Sequence, residues 1–163
     1  MLHVSYTNKQ GAQYTVHKIE DLNQIDLDIA EVEDKLIDTY LPLYKKNMVT
    51  SLEQGLAFAI FKEDKRIGFV YMLVKDNMYI GVSIHLEKDV TGMLIGLRTI
   101  FEIYDAHKIK VTPHPGGLKY FLSMATGSSI RAYHTHGSPL TILREDIYEK
   151  GKKMFKYLGL TDG

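Results

Sequence analysis

Cysteine is absent from all 163 residues of this chain. Disulfides, zinc-thiolate centres and thiol nucleophiles are excluded with it. Charge of one sign is also lacking: 20 basic residues balance 20 acidic ones. A neutral chain sets up no long-range field for DNA, RNA or an anionic membrane and leaves only local patches. No nucleic-acid partner and no membrane partner is therefore expected. Long hydrophobic runs are missing too. Ile67 to Val74 is among the longest, and a bilayer span needs ~20 residues. The opening MLHVSYTNKQGAQ lacks the basic-then-apolar pattern of a signal peptide. No repeat, low-complexity tract or Pro/Gly/Ser-rich linker divides the chain. The expectation is one domain over residues 1–163, soluble and cytoplasmic, large enough to bury a core without staples. Zero net charge with eleven tyrosines is compatible with self-association or an assembly partner.

What is present is an alternation of strand and helix patterns. Tyr14 to Ile19 alternates and is β-branched, as a strand does. Asp28 to Tyr44 carries Ile29, Val32, Leu36, Ile37, Tyr40 and Leu43 at helical spacing. Its early acids suit a helix start, and Pro42 implies a kink or an end at Leu41. A second helix fits between Leu41 and Gln54. Leu56–Phe61, Arg66–Val74 and Tyr79–Leu86 then read as three consecutive antiparallel strands. The unbroken apolar run of the middle one predicts that both its faces are covered. Phe58, Phe61, Phe69, Tyr71, Met72 and Tyr79 are expected in the core.

Thr91 to His107 repeats apolar residues with a 3.6 period, and Lys108–Thr112 is a strand. Leu118–Ala125 reads as a short helix after the Pro115-Gly116-Gly117 break. Ile130–His136 and Pro139–Leu143 read as a final strand pair, and Glu145–Leu158 as a terminal helix. That helix bears a stripe of Tyr148, Met154, Phe155 and Leu158 that suits either the domain or a partner chain. The fold class is α/β with a mixed sheet, antiparallel early and partly parallel late.

The stretch from Asn77 to Lys110 says most about chemistry. A strand there feeds a long helix through a tight loop, and a helix N-terminus gathers unpaired N–H groups and positive dipole charge. With its three-strand meander, loop, helix, strand, short helix and closing strand pair, the order resembles the GCN5-related N-acetyltransferase family over roughly Tyr14 to Arg144. The resemblance implies an acyl-CoA N-acyltransferase-like fold. It implies acetyl-CoA or another acyl-CoA as donor and an amine on a small molecule or protein as acceptor. It also implies a loop holding the coenzyme A pyrophosphate, here Glu87–Leu94. The family's loop motif is Gln or Arg, two residues, Gly, one residue, then Gly or Ala. Against Asp89-Val90-Thr91-Gly92-Met93-Leu94 it matches at Gly92, while Asp89 and Leu94 depart from it. The cofactor-binding positions carried over are Ile84, Leu86, Val90, Thr91, Gly92 and Met93. A bulky residue at Gly92 is expected to block the ligand and spare the fold. Lys88 and Arg98 offer positive charge from other positions.

Family members need a base for the amine and often an acid for the departing thiolate. His85, on the strand before the loop, can accept a proton near neutral pH. Tyr120, in the short helix, is placed as the acid, with Tyr133 as a fallback. The plain alternatives are a polar residue on a strand face and a packing tyrosine. His134 and His136 share a strand face and with His114 can be read as a three-histidine metal site, or as surface residues. A different class of function fits the same fold: a non-catalytic interaction or assembly protein, of the kind bacteriophages encode or a virion carries. Asp89 and Leu94 favour that class, and Gly92 with its following helix favours the enzyme.

Overall fold

The computed structural model describes residues 3–32, 41–75, 78–86, 89–103, 108–111, 140–143, 156 and 161–162. The strands are β1 (His3–Thr7), β2 (Gln13–Lys18), β3 (Ala57–Lys62), β4 (Lys65–Lys75), β5 (Met78–Leu86), β6 (Lys108–Val111), β7 (Leu140–Leu143) and β8 (Thr161–Asp162). The helices are α1 (Asn23–Val32), α2 (Leu41–Glu53) and α3 (Val90–Ile103). The described strands form one sheet in the order β7-β6-β5-β4-β3-β2-β1-β8. All neighbours are antiparallel except β5 and β6, which run parallel. The meander and the late parallel pair thus match the pattern of the sequence. The expected helix over 118–125 and strand over 130–136 lie outside the described residues, as does the helix over 145–158 apart from helical Lys156. No helix among the described residues is long and apolar enough to cross a membrane.

The helix expected from Asp28 starts earlier, residues 33–40 of that stretch lie outside the described residues, and the second helix expected between Leu41 and Gln54 is α2. α1 begins at Asn23, where the Asp21 carboxylate accepts the Asn23 N–H at 2.9 Å, as a helix N-cap does. Asp28 therefore sits inside the helix rather than at its start. Pro42 lies in the first turn of α2, where its missing N–H costs no hydrogen bond. α2 stops at a left-handed Gly55, φ +73°. There Leu56 N–H donates to Ser51 C=O at 2.9 Å and Gly55 N–H to Leu52 C=O at 3.0 Å. This is the paired closure that a glycine just past a helix end permits.

Strand alternation sorts the sheet into two faces. On one face Ile19, Ala57, Ala59, Phe69 and Tyr71 pack with Ile25 of α1 and Met48 of α2. On the other lie Tyr14, Val16, Phe58, Ile60, Val70 and Met72, all buried, on the side where Leu94, Ile95 and Ile100 of α3 are buried too. Each of these large side chains contributes about 1.5–3 kcal/mol on burial. Of the expected core aromatics, Phe58, Phe69 and Tyr71 are buried with Met72, and Phe61 is half-buried at the edge of the first cluster.

One register shift governs β4. Ile60 pairs with Gly68 but Phe61 pairs with Arg66, so Ile67 is an extra residue, a β-bulge. Without it Arg66 and Phe69, three apart, would point to opposite faces. With it the Arg66 guanidinium stacks over the Phe69 ring at 5.3 Å and reaches Asp28 on α1. Asp28 is fully buried. It is paired bidentately by the Arg66 guanidinium, accepts the Tyr71 hydroxyl at 2.6 Å and accepts the Gln24 amide at 3.0 Å. A buried carboxylate is tolerable because its lone pairs are met in this way.

Two outcomes follow from this network. Asp28→Ala leaves Arg66 and Tyr71 without their acceptor and should cost about 3–5 kcal/mol, read as a lower urea midpoint. Burial first, then the adjoining Asp28, pushes the Tyr71 phenol well above its ordinary range. The fold therefore favours the neutral phenol. This contribution is full below the ordinary tyrosine value near pH ~10 and is lost as pH rises beyond it. Tyrosinate absorbance at 295 nm should show this phenol ionising only with unfolding, and Tyr71→Phe should remove that late step.

Candidate functional site

The N-terminus of α3 is built by three elements. Asp89 stands immediately before the helix, and its Oδ1 accepts the Gly92 N–H at 2.9 Å. That bond satisfies one of the four donors a helix leaves open at its start. On β2 and β3, Tyr14 and Lys62 are directly opposite each other, and both reach the same carboxylate. The Tyr14 hydroxyl donates to Asp89 Oδ2 at 3.1 Å. The Lys62 ammonium lies 3.7 Å from Oδ2 and 5.6 Å from the Tyr14 ring centre.

The electrostatics are self-consistent. Burial first, then the Asp89 charge, raises the Tyr14 phenol, so it stays neutral and keeps its proton to donate. Hydrogen bonding with Tyr14, together with the Asp89 charge, raises the Lys62 amine, so it stays charged. Backbone N–H, phenol and ammonium, the donors that would greet an incoming anion here, all converge on one resident carboxylate.

The carried-over positions fall into two groups. Val90, Thr91, Gly92 and Met93 form the first turn of α3. Within it Thr91 is buried, and so is Gly92. A Cβ added at Gly92 would lie 2.6 Å from Ile67 Cδ1, so any larger residue here forces the buried, bulged Ile67 to shift. The expectation that a bulky residue at Gly92 spares the fold is corrected for that reason. Leu94, which departs from the family's small residue, is 1% exposed and belongs to the core.

Ile84, His85 and Leu86 stand on β5 opposite Val70, Phe69 and Gly68 of β4. Tyr120, Tyr133, His114, His134, His136 and Lys88 lie outside the described residues. The structure thus brings Asp89 together with Tyr14 and Lys62, two residues that the sequence reading did not single out. Tyr14 and Lys62 carry no motif, and only the β2–β3 register makes them neighbours.

A second feature lies on β5 itself. Tyr71 pairs with Ser83 and Met72 with Gly81, leaving Val82 extra and bulged. Among the described residues, β5 pairs with β6 at Tyr79–Ile109 and Ile80–Lys110. Beyond Ile80, among the described residues, β5 has β4 on one side and no β6 partner on the other.

This topology recurs in solved structures. The PaiA N-acetyltransferase from Thermoplasma acidophilum, solved in complex with coenzyme A, superposes with a TM-score of 0.51 at 14% identity, over 79% of this chain and 96% of that one. A protein described as an acetyltransferase from Pyrococcus horikoshii gives 0.50 at 8% identity, over 67% of this chain and 41% of that one. The fold is that of the GCN5-related N-acetyltransferases. A GCN5-related N-acetyltransferase from Kribbella flavida shares 12% identity with a TM-score of 0.48, over 72% of this chain. The chain spans about a third of that protein, 34%. No family model matches the sequence. No curated protein matches it either. The GCN5-related architecture is therefore carried by topology, at identities that leave the site residues to be argued on their own.

The contact between Gly92 and Ile67 gives a test by double substitution. Gly92→Ala gains helix propensity of about 1 kcal/mol but overpacks Ile67 at a cost of about 1–3 kcal/mol. The single variant should be less stable than wild type. Adding Ile67→Val removes the clashing Cδ1 and should make the Gly92→Ala change favourable, a sign reversal measurable in urea.

Proposed function

We propose that this chain transfers an acyl group from an acyl thioester to an amine. The observation that supports the reading is the short parallel pairing of β5 with β6 ahead of the Val82 bulge, beyond which, among the described residues, no strand pairs with that edge of β5. An open strand edge presents backbone N–H and C=O groups that need partners. The amide-bearing pantetheine arm of a coenzyme A thioester can supply them as an extra strand would. Backbone N–H groups near a bulge are suited to polarise the thioester carbonyl.

The reaction is then simple to balance. The amine nitrogen adds to the thioester carbonyl carbon, a C–N bond forms, the C–S bond breaks and its electron pair leaves on sulfur. The proton lost by nitrogen passes to a base and the thiolate takes up a proton. His85 on β5 is proposed as the base, and Tyr120 as the acid.

On this reading the arm of acyl-CoA lies along β5, whereas the diphosphate does not fit at α3. Asp89 already occupies that helix end. This same observation favours a second reading, a non-catalytic interaction or assembly protein that keeps the fold for another purpose.

The test uses the absence of cysteine. A thiol-reactive dye added to the reaction sees only the leaving thiol, because the protein contributes none. With S-acetyl-pantetheine or acetyl-CoA and a panel of small polyamines, amino acids and peptide N-termini, thiol release above the protein-free blank is expected. His85→Ala should lower the rate by about 10²–10⁴-fold. No release with any acceptor, and no thermal shift with either thioester, would favour the non-catalytic reading.

A further inference from the structure

We infer that Asp89 closes the N-terminus of α3 to diphosphates. On the acyl-transfer reading, with which this inference shares its site, the donor is then recognised through its pantetheine-type arm and not through a nucleotide diphosphate. A helix start ordinarily favours an incoming anion through its open N–H groups and its dipole. Here a resident carboxylate already stands at that end and takes one of its N–H groups. Asp89 takes the Gly92 N–H at 2.9 Å and the Tyr14 hydroxyl at 3.1 Å, with the Lys62 ammonium 3.7 Å away.

The carboxylate is held by groups from β2, β3 and α3 together, so it does not swing aside as a lone surface acid would. Its side chain is 21% exposed, low enough that an anion beside it meets its charge with little water between them. A diphosphate would have to displace Asp89 from its donors or stand in contact with it, and like charges at that distance repel. The nearest compensating cation described there, Lys62, already neutralises Asp89. Sequence alone registers Asp89 as a mismatch to a motif. The structure gives it a role: it is the anion of that helix end.

Neutral caps separate the charge from the fold. Asn and Ser cap helices about as well as Asp, so Asp89→Asn and Asp89→Ser remove the charge and leave an acceptor for the Gly92 N–H. Binding of inorganic pyrophosphate, coenzyme A and S-acetyl-pantetheine is measured by calorimetry and thermal shift on the full chain and both variants. Wild type should not bind pyrophosphate and should hold coenzyme A no more than threefold tighter than pantetheine. The neutral variants should bind pyrophosphate and coenzyme A at least tenfold more tightly than wild type, with S-acetyl-pantetheine unchanged. Pyrophosphate bound equally by wild type and variants, or by none of them, would overturn the inference. If S-acetyl-pantetheine binds no protein while the pyrophosphate difference holds, the acyl-transfer reading fails and the role of Asp89 stands.

Discussion

A single extra residue, Ile67, ties the two faces of this sheet to their helices. The bulge turns Arg66 toward α1, where it meets the buried Asp28. It also sets the Ile67 side chain against the first turn of α3, where a Cβ at residue 92 would lie 2.6 Å from Ile67 Cδ1. Regular pairing through β4 would send Arg66 to the α3 face and leave Asp28 as an unpaired buried charge, a far larger penalty than an irregular ladder. The position of α1, the entry of α3 and the identity of residue 92 are thus linked through one local distortion of the most buried strand.

Two carboxylates show how this chain uses charge. Asp28 lies wholly inside and is matched by a guanidinium, a phenol and an amide. Asp89 lies at the margin and is matched by a backbone N–H, a phenol and an ammonium. Each joins a helix to neighbouring strands through a tyrosine held neutral by burial. The consequences differ. Asp28 orients α1 against the sheet, whereas Asp89 caps the start of α3. The start of α3 therefore already has its anion.

Much of this order was legible in the sequence. The β3–β4–β5 meander follows from alternation and from the unbroken apolar run of β4. α3 follows from its 3.6 period, and its capped start falls at the expected loop. The early region was harder. β1 is five residues long and β8 two, too short for a period to register, and they become strands through pairing with each other and with β2. The start of α1 misled because a buried Asp within a helix looks like an acid at its start. Bulges leave no mark in a single sequence. Arg66 facing Asp28, Ile67 facing Gly92 and Val82 left unpaired all depend on registers between strands. Tyr14 and Lys62 are neighbours of Asp89 for the same reason: residues 14, 62 and 89 meet only once β2, β3 and α3 are packed.

The central claim is that the Asp89 carboxylate itself occupies the start of α3, and the Gly92 amide reports on it directly. Glycine amides fall in a sparsely populated region of the ¹H–¹⁵N spectrum, so this signal can be followed through substitution. A hydrogen bond to a carboxylate draws the amide proton downfield. The account predicts a downfield Gly92 amide in the wild-type protein that moves upfield in Asp89→Ala, while the amides of β3 and β4 hold their positions. A Gly92 amide unmoved by loss of the carboxylate would mean that Asp89 does not cap the helix, and would contradict the account.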